Sequence, residues 1–288
     1  MLPVVSIIIP HYDDLANLGR CLALLERQTL RPGDYEVIVA DNNSRCGIDA
    51  VRDCAGDRAH VVPAPEQGAG AARNAAVAAA LGELLAFIDS DCVPAQDWLE
   101  RGVAALARGD IVGGAVSVFC ATPGAPNAVE AFEMVFAFRT RDYVERQHFA
   151  VTANMFARRA DFDRVGGFSA VVAEDMDWCF RAREMGLSLV YGADVKVEHP
   201  ARATWPDLVR NWRRTTRETY LLNARRRFAR TRWLLRALAV LASPLPHLVQ
   251  VWRSDRIGGV GSRIDASAIL FRLRYFRFVE SLRLLRAG

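Results

Sequence analysis

Apolar residues along this chain come first in short runs and later in stripes. Val4-Val5-Ser6-Ile7-Ile8-Ile9 is a β-branched run closed by Pro10, which predicts a strand buried on both faces. Leu18, Cys21, Leu22 and Leu25 form one stripe of a helix over Asn17–Gln28. Tyr35–Ala40 predicts a second strand, His60–Val62 a weaker third, and Leu84–Ile88 a fourth. An Ala-rich helix over Ala69–Leu81 separates the last two, stopped at Gly82. Further on, the pattern predicts helices over Asp97–Arg108, Asn127–Gln147 and Met176–Met185. It predicts strands over Ile111–Phe119, Val151–Ala157, Leu187–Tyr191 and Val195–Glu198. Strands alternating with helices imply an α/β fold: an open, mostly parallel sheet with helices on both faces. In such sheets ligands bind beyond the carboxyl ends of the strands. Three polar clusters fall there: Tyr12–Asp14, Asp41–Ser44 and Asp89–Asp91.

After His199-Pro200 the character changes to Arg-rich helical segments. Residues 1–200 hold 18 Lys and Arg against 28 Asp and Glu, whereas 201–288 hold 19 against 5. An acidic body with a basic tail points to an anionic surface for the tail. From Trp233 to Trp252 the chain is mostly apolar, but Arg236, Pro244, Pro246 and His247 interrupt it. That suits a re-entrant or surface-lying hairpin better than a spanning helix. Ala268–Arg286 mixes Leu and Phe with Arg as a basic amphipathic segment. The expected partner is an anionic membrane face rather than nucleic acid, since no nucleic-acid module is present. A basic face whose apolar stripe lies in the protein core is the other reading. The six cysteines form no C-x-x-C pair, and buried thiols in a reduced, cytosolic compartment are expected of them. The N-terminal apolar run is too short for a secretory signal.

Asp89-Ser90-Asp91 follows an apolar strand directly. Two carboxylates one residue apart suit a hard divalent cation bound to a diphosphate, although a solvated acidic turn has the same sequence. Asp41 is either a ligand reader or the cap of its own turn. Arg73 is either a phosphate contact or the partner of a nearby acid. Asp175 stands at or near a helix start, where carboxylates are favoured for structural reasons as well. His199 is a metal ligand or a structural histidine. Asp177 and Arg181 are spaced to pair on one helix face, and Trp178 is assigned to the core.

The ordered set Val4–Tyr12, Val37–Ser44, Gly70-Ala71-Ala72-Arg73-Asn74 and Gly82–Asp91 resembles the family 2 glycosyltransferases of GT-A (Rossmann-like) fold. Ala153–Arg159, Val165-Gly166-Gly167-Phe168, Glu174-Asp175 and His199 extend the resemblance over residues 4–200. It implies a GT-A domain over 1–200, with a nucleotide-sugar half at 1–120 and an acceptor half at 121–200. A basic helical extension, 201–288, follows. It further implies a donor site of Pro10, Tyr12, Asp41, Arg73 and Asp89, with Tyr12 stacking on the base. Asp91, Asp89 and His199 are the implied ligands of Mg²⁺ or Mn²⁺. Asp175 is the implied general base, with Glu174 beside it. The implied reaction is inverting transfer of one sugar from a nucleotide sugar, UDP-linked as a first choice, to a hydroxyl of a lipid-linked glycan. The setting is cell-envelope or extracellular polysaccharide synthesis on the cytoplasmic face of the membrane. The Gln-x-x-Arg-Trp motif of processive members is missing here. The alternatives are a sugar-nucleotide nucleotidyltransferase and an inactive nucleotide-binding membrane scaffold. Pro10-His11-Tyr12-Asp13-Asp14, in place of a Gly-rich phosphate loop, argues against the first of these.

Overall fold

The computed structural model describes residues 3–169, 173–224 and 227–287. The chain divides into two compact units: residues 1–117 with 139–199, and residues 118–138 with 200–288. The stretch expected as an acceptor half, 121–200, is thus shared between them. Its first helix belongs with the C-terminal helices.

Unit 1 is built on one eight-stranded sheet in the order β3-β2-β1-β4-β7-β6-β8-β5. Its strands are β1 (Val5–His11), β2 (Tyr35–Asp41), β3 (His60–Pro63), β4 (Leu84–Ile88), β5 (Val93–Pro94), β6 (Ile111–Phe119), β7 (Asn154–Arg158) and β8 (Leu189–Pro200). The first four run parallel, whereas β4–β7, β6–β7 and β5–β8 pair antiparallel. The helices are α1 (Leu15–Leu25), α2 (Ile48–Ala55), α3 (Ala69–Ala79), α4 (Trp98–Ala105), α6 (Thr140–Gln147), α7 (Arg159–Val165) and α8 (Glu174–Glu184), with α5 (Ala128–Phe136) in unit 2. Helices cover both faces of the sheet. Ile8, Ile38, Leu85 and Phe87 cluster with Ala72 and Ala76 of α3 and with Trp178 of α8. Ile7 and Ile9 alternate to the opposite face, which is buried as well.

Several elements differ from the sequence pattern. Pro10 does not end β1, which continues to His11. Helix α3 ends before Gly82, and Gly82 instead presses on β1, where an added Cβ would meet Ser6 N at 2.7 Å. The expected helix over Asn127–Gln147 is two. A capping box of Asn127 and Glu130 starts α5, and the chain then turns extended at Ala137 and left-handed at Phe138. The two strands expected over 187–198 are one strand, β8. Of the six free cysteines, Cys46 is exposed and Cys54 half-buried, so burial holds for the other four only. Trp178 is fully buried, and Arg181 Nε lies 3.0 Å from Asp177 Oδ2.

Unit 2 joins α5 to α9 (Trp205–Ala224), α10 (Ala229–Ala242), α11 (Pro244–Arg253) and α12 (Val260–Ala287). Phe132 and Val135 of α5 share its core with Leu208, Val251, Leu270 and Leu273. Arg202 pairs with the buried Glu133 at 2.8 Å. Among the described residues no single helix is long and apolar enough to cross a membrane. The pair α10–α11 has the length but bends by 44° at its break, where Pro244 opens the second helix.

Candidate active site

Strand register assembles the first part of the site. Parallel pairing of β1 and β2 sets His11 beside Asp41. The two side chains face each other, Nδ1 to Oδ1, at 3.5 Å, and Ser44 Oγ lies 3.3 Å from the same Nδ1. Because Asp14 N–H donates to His11 Nε2 (3.2 Å), the ring carries its proton on Nδ1, toward Asp41. Asp41 is buried and also accepts Ser44 N–H at 3.3 Å, so it does cap its own turn. Pro10 is partly buried in β1, and Tyr12 stands just past the strand, 52% exposed. Arg45 grips Asp13 next to it through Nε at 2.5 Å.

Asn42 links this edge to α3. Its Nδ2 donates to Ala64 O and Glu66 O (2.8 and 2.6 Å), and its Oδ1 accepts Gly68 N–H (2.8 Å). Gly68, at φ 127°, opens α3, and Arg73, at the start of that helix's second turn, is one of its buried residues. Arg73 is 4% exposed. One terminal nitrogen donates to Asp89 Oδ1 at 2.6 Å and the other to Glu174 Oε1 at 3.0 Å. The two acidic motifs, 85 residues apart in sequence, therefore meet on one guanidinium. Burial pulls the Arg73 pKa down, but Asp89 and Glu174 outweigh it and hold the pKa above the ordinary arginine value.

A close approach of helices makes this bridge. A Cβ on Gly70 would meet Glu174 Cβ and Phe168 Cβ at 3.2 Å. Asn74, one turn on, clasps the backbone of Phe168 from both sides, donating to its O at 2.9 Å and accepting its N–H at 2.8 Å. Gly167 leaves room for the clasp, since its Cβ would lie 2.8 Å from Asn74 Oδ1. Trp178 Nε1 and Arg181 fasten the same Gly166–Gly167 loop through its carbonyls. Asp175 sits in the first turn of α8, its Oδ1 accepting Met176 N–H at 2.8 Å. Burial, and then the charge of Glu174, push its carboxyl up to about 6, against the pull of that amide and of Arg73.

The third part lies beyond β4 and β5. Val93 pairs with Glu198 across β5–β8, so the register carries His199 alongside Asp91-Cys92. His199 Nε2 is 3.5 Å from Asp91 Oδ1, and that oxygen is buried without a hydrogen bond. Burial pushes Asp91 above the usual carboxylate range; His199 opposes this and Asp89 adds to it. Ligand atoms of Asp91, Cys92 and His199 lie within 4.8 Å of one another. Burial, with Asp89 and Asp91 close by, raises the Cys92 thiol well above its ordinary value. An orphaned carboxylate oxygen facing an imidazole fits Mn²⁺ or Mg²⁺ better than a thiolate-seeking metal.

Arg73, Asp89, Asp91, Glu174, Asp175 and His199 thus gather around the ends of β4 and β5 and the start of α8. Pro10, Tyr12 and Asp41 occupy the neighbouring ends of β1 and β2. The sequence reading missed His11, Asn42 and Asn74. All three stand inside the segments that carry the family resemblance, but nothing in their spacing gave them a role. Asn154, in another of these segments, is structural. It accepts Trp98 Nε1–H and donates to Ala115 O and Val195 O, locking three segments together.

The chain is similar to known proteins in sequence and in fold. Residues 6–166 match the family described as Glycosyl transferase family 2. Glycosyltransferase AglE of Haloferax volcanii is 33% identical over 262 residues, covering 86% of this chain and 85% of that protein. A pre-mycofactocin glycosyltransferase of Mycobacterium tuberculosis is 27% identical over 219 residues, 71% of this chain and 44% of its own. Among solved structures, the mannosyltransferase PcManGT of Pyrobaculum calidifontis, in complex with GDP-Man and Mn²⁺, aligns with a TM-score of 0.61. The alignment is at 19% identity and covers 98% of this chain and 86% of that one. S. aureus TarS aligns at 0.54 and 19% identity, over 99% of this chain and 54% of its own. With more than half its length inside the family match and a near full-length relative above 30% identity, this chain belongs to glycosyl transferase family 2, as a nucleotide-sugar-using glycosyltransferase of GT-A fold.

Proposed function

We propose that the chain transfers one sugar per encounter, with inversion, from a nucleotide sugar to a hydroxyl of a lipid-linked glycan in cell-envelope or extracellular polysaccharide synthesis. The observation that carries this reading is the Arg73 bridge. It brings the Asp89–Asp91 end of β4 to within one guanidinium of the Glu174-Asp175 start of α8. A diphosphate-facing acid pair and a candidate base then border one space, as a single displacement requires.

Asp91 and His199, with Asp89 beside them, would hold the divalent cation, and the cation supplies positive charge to the diphosphate as it leaves. Asp175 takes the acceptor proton. A carboxylate at about 6 is mostly ionised at neutral pH, yet it is more basic than an ordinary aspartate. Glu174 keeps Asp175 basic by its charge and holds Arg73 in place. Arg73 can exchange a carboxylate for a phosphate oxygen, since its planar fork suits both. Tyr12, exposed at the end of β1, offers a stacking face to the base, while Asp41 and His11 form the polar floor near it. The basic helices of unit 2 hold the enzyme on the inner membrane face, through anionic lipid and apolar area together.

Thermal melting with UDP, GDP, dTDP and CDP, each with and without Mn²⁺, tests the reading. One of the nucleotides raises the melting point, and more so with Mn²⁺. No shift with any of them overturns it.

A further inference from the structure

Helix α12 buries one face against its own unit, and Ala266, Ile269, Leu270, Leu273 and Ser281 lie on it. Arg277 occupies the same stripe, only 6% exposed. Its guanidinium carbon lies 3.9 Å from the centre of the Trp212 ring. Arg274, one turn earlier, is half-buried, and so is Arg236 of α10, which stands over Trp233 at 5.0 Å. The Nε atoms of Arg274 and Arg277 are buried with no hydrogen-bond partner. Among the described residues no carboxylate pairs with any of the three arginines. Glu280, the acid nearest along α12, is taken by Arg213 and Arg283. Arg73, the other buried arginine among the described residues, has acids at 2.6 and 3.0 Å, and half-buried Arg202 has one at 2.8 Å; half-buried Arg58 and Arg263 instead donate to backbone carbonyls.

Three cations gathered without a counter-charge are costly, because buried charge is normally paired. Arginine cannot escape by losing its proton at any ordinary pH. Burial and mutual repulsion depress all three pKa values or, for Arg236, burial alone does so; Arg274 falls to about 10. The missing charge must come from outside the chain. Guanidinium forks match phosphate oxygens, and the flanking indoles keep the forks in place. The surrounding surface says which phosphate. Phe271 and Tyr275, three before and one after Arg274 along α12, and Leu235, next to Arg236 on α10, are exposed and give the arginines apolar faces. A phosphate bound beside such faces is attached to an apolar chain.

We propose that Arg236, Arg274 and Arg277 form a binding site for the phosphate of a membrane lipid. The proposal deepens the membrane reading above and rests on it. The full-length protein is melted alone, with inorganic phosphate, with phosphatidylcholine vesicles, and with the same vesicles containing phosphatidylglycerol. Recovery on the vesicles is measured by sedimentation. The wild type gains about 2–4 °C from the phosphatidylglycerol vesicles beyond the neutral ones. Arg274→Gln and Arg236→Gln lose that increment, and Arg274→Gln melts higher than wild type when no lipid is present. Arg232→Gln, which removes an exposed charge of the same helix, keeps the increment. Retention of the increment in both cluster variants overturns the site while leaving vesicle recovery, and hence the membrane reading, intact. An equal gain from inorganic phosphate alone overturns the lipid assignment. No recovery of wild type on either vesicle overturns the membrane reading and the site with it.

Discussion

Replacing Asp175 with Asn separates the catalytic reading from a structural one, because the two predict opposite signs for stability. The native carboxyl rises from 3.8 to about 6, with burial first and Glu174 second among the causes. Folding therefore disfavours the charged form by roughly 2 pKa units, about 3 kcal/mol at most. Asp175 keeps a partly open edge, so about 2 kcal/mol is the working figure after screening by water. The sign follows from the raised value. The favourable contribution of the protonated group is complete below pH 4 and is lost as pH climbs through 6. Asn mimics the neutral acid and can still accept Met176 N–H. Asp175→Asn therefore melts with wild type near pH 4 and above it at pH 8, by about 4–8 °C for a unit of this size. Transfer falls by about 10²–10⁴-fold in the same variant, and nucleotide affinity stays within a few-fold. Wild-type turnover rises about tenfold per pH unit up to 6 and then levels off. Melting of metal-free protein across pH, beside turnover on a matched acceptor, measures all of this. A variant that melts below wild type at pH 8, or that turns over with the wild-type pH profile, refutes the assignment of Asp175.

Arg73→Met removes the shared partner of Asp89 and Glu174 and costs about 3 kcal/mol in denaturant unfolding. That is the low end for a broken buried pair, because both acids keep a water-facing side. The ascending limb of its pH–rate profile moves to higher pH, since Arg73 pulls Asp175 down. Glu174→Gln moves that limb the opposite way, read from the same profile. Gly70→Ala forces α3 away from Glu174 and Phe168 by a few tenths of an ångström and costs about 1 kcal/mol in chemical denaturation. Its kcat drops by more than its stability loss explains. Asp91→Asn and His199→Gln weaken Mn²⁺ at least about tenfold, read by titrating the metal dependence of nucleotide binding.

The parallel half of the fold was written in local pattern. Runs such as Ile7-Ile8-Ile9 and Leu84–Ile88 are buried on both faces, and nothing but a strand of that length fits between their turns. The antiparallel half was less legible, because β8 carries Gly192 and Asp194 in mid-strand and reads as two pieces. The break at Ala137–Phe138 was hidden for a different reason. Phe138 adopts φ 50°, a conformation that its residue type does not advertise and that only tertiary packing selects. The placement of α5 with the C-terminal helices was invisible too, since its apolar stripe states that it is buried but not against what. The burial of Arg277 was hidden in the same way. An arginine in a mixed Arg–Leu–Phe segment reads as solvated, and only the helix phase puts it on the covered stripe.

The residues of the site were legible as types, but their mutual pairing was not. Asp89, Asp91, Glu174 and Asp175 bring four carboxylates together, and the one arginine that bridges them is already engaged by two. Such a cluster is a poor receptor for a diphosphate as it stands, because like charges at close range in a partly buried site repel strongly. The repulsion is also what raises Asp91 and Asp175 above the ordinary range, once burial has acted. A divalent cation held near Asp91 and His199 would offset much of that repulsion where phosphates would lie. Asp89 would then need Arg73 less, and a guanidinium nitrogen could turn to a phosphate oxygen. On the proposed reading, the bridge that draws the acids together is the element whose partners would change when donor arrives. That change would reach Glu174 directly and, by charge, the carboxyl of Asp175. Charge balance therefore predicts that the donor binds best with or after the cation, and that the ascending limb of the pH–rate profile shifts with what Arg73 is holding.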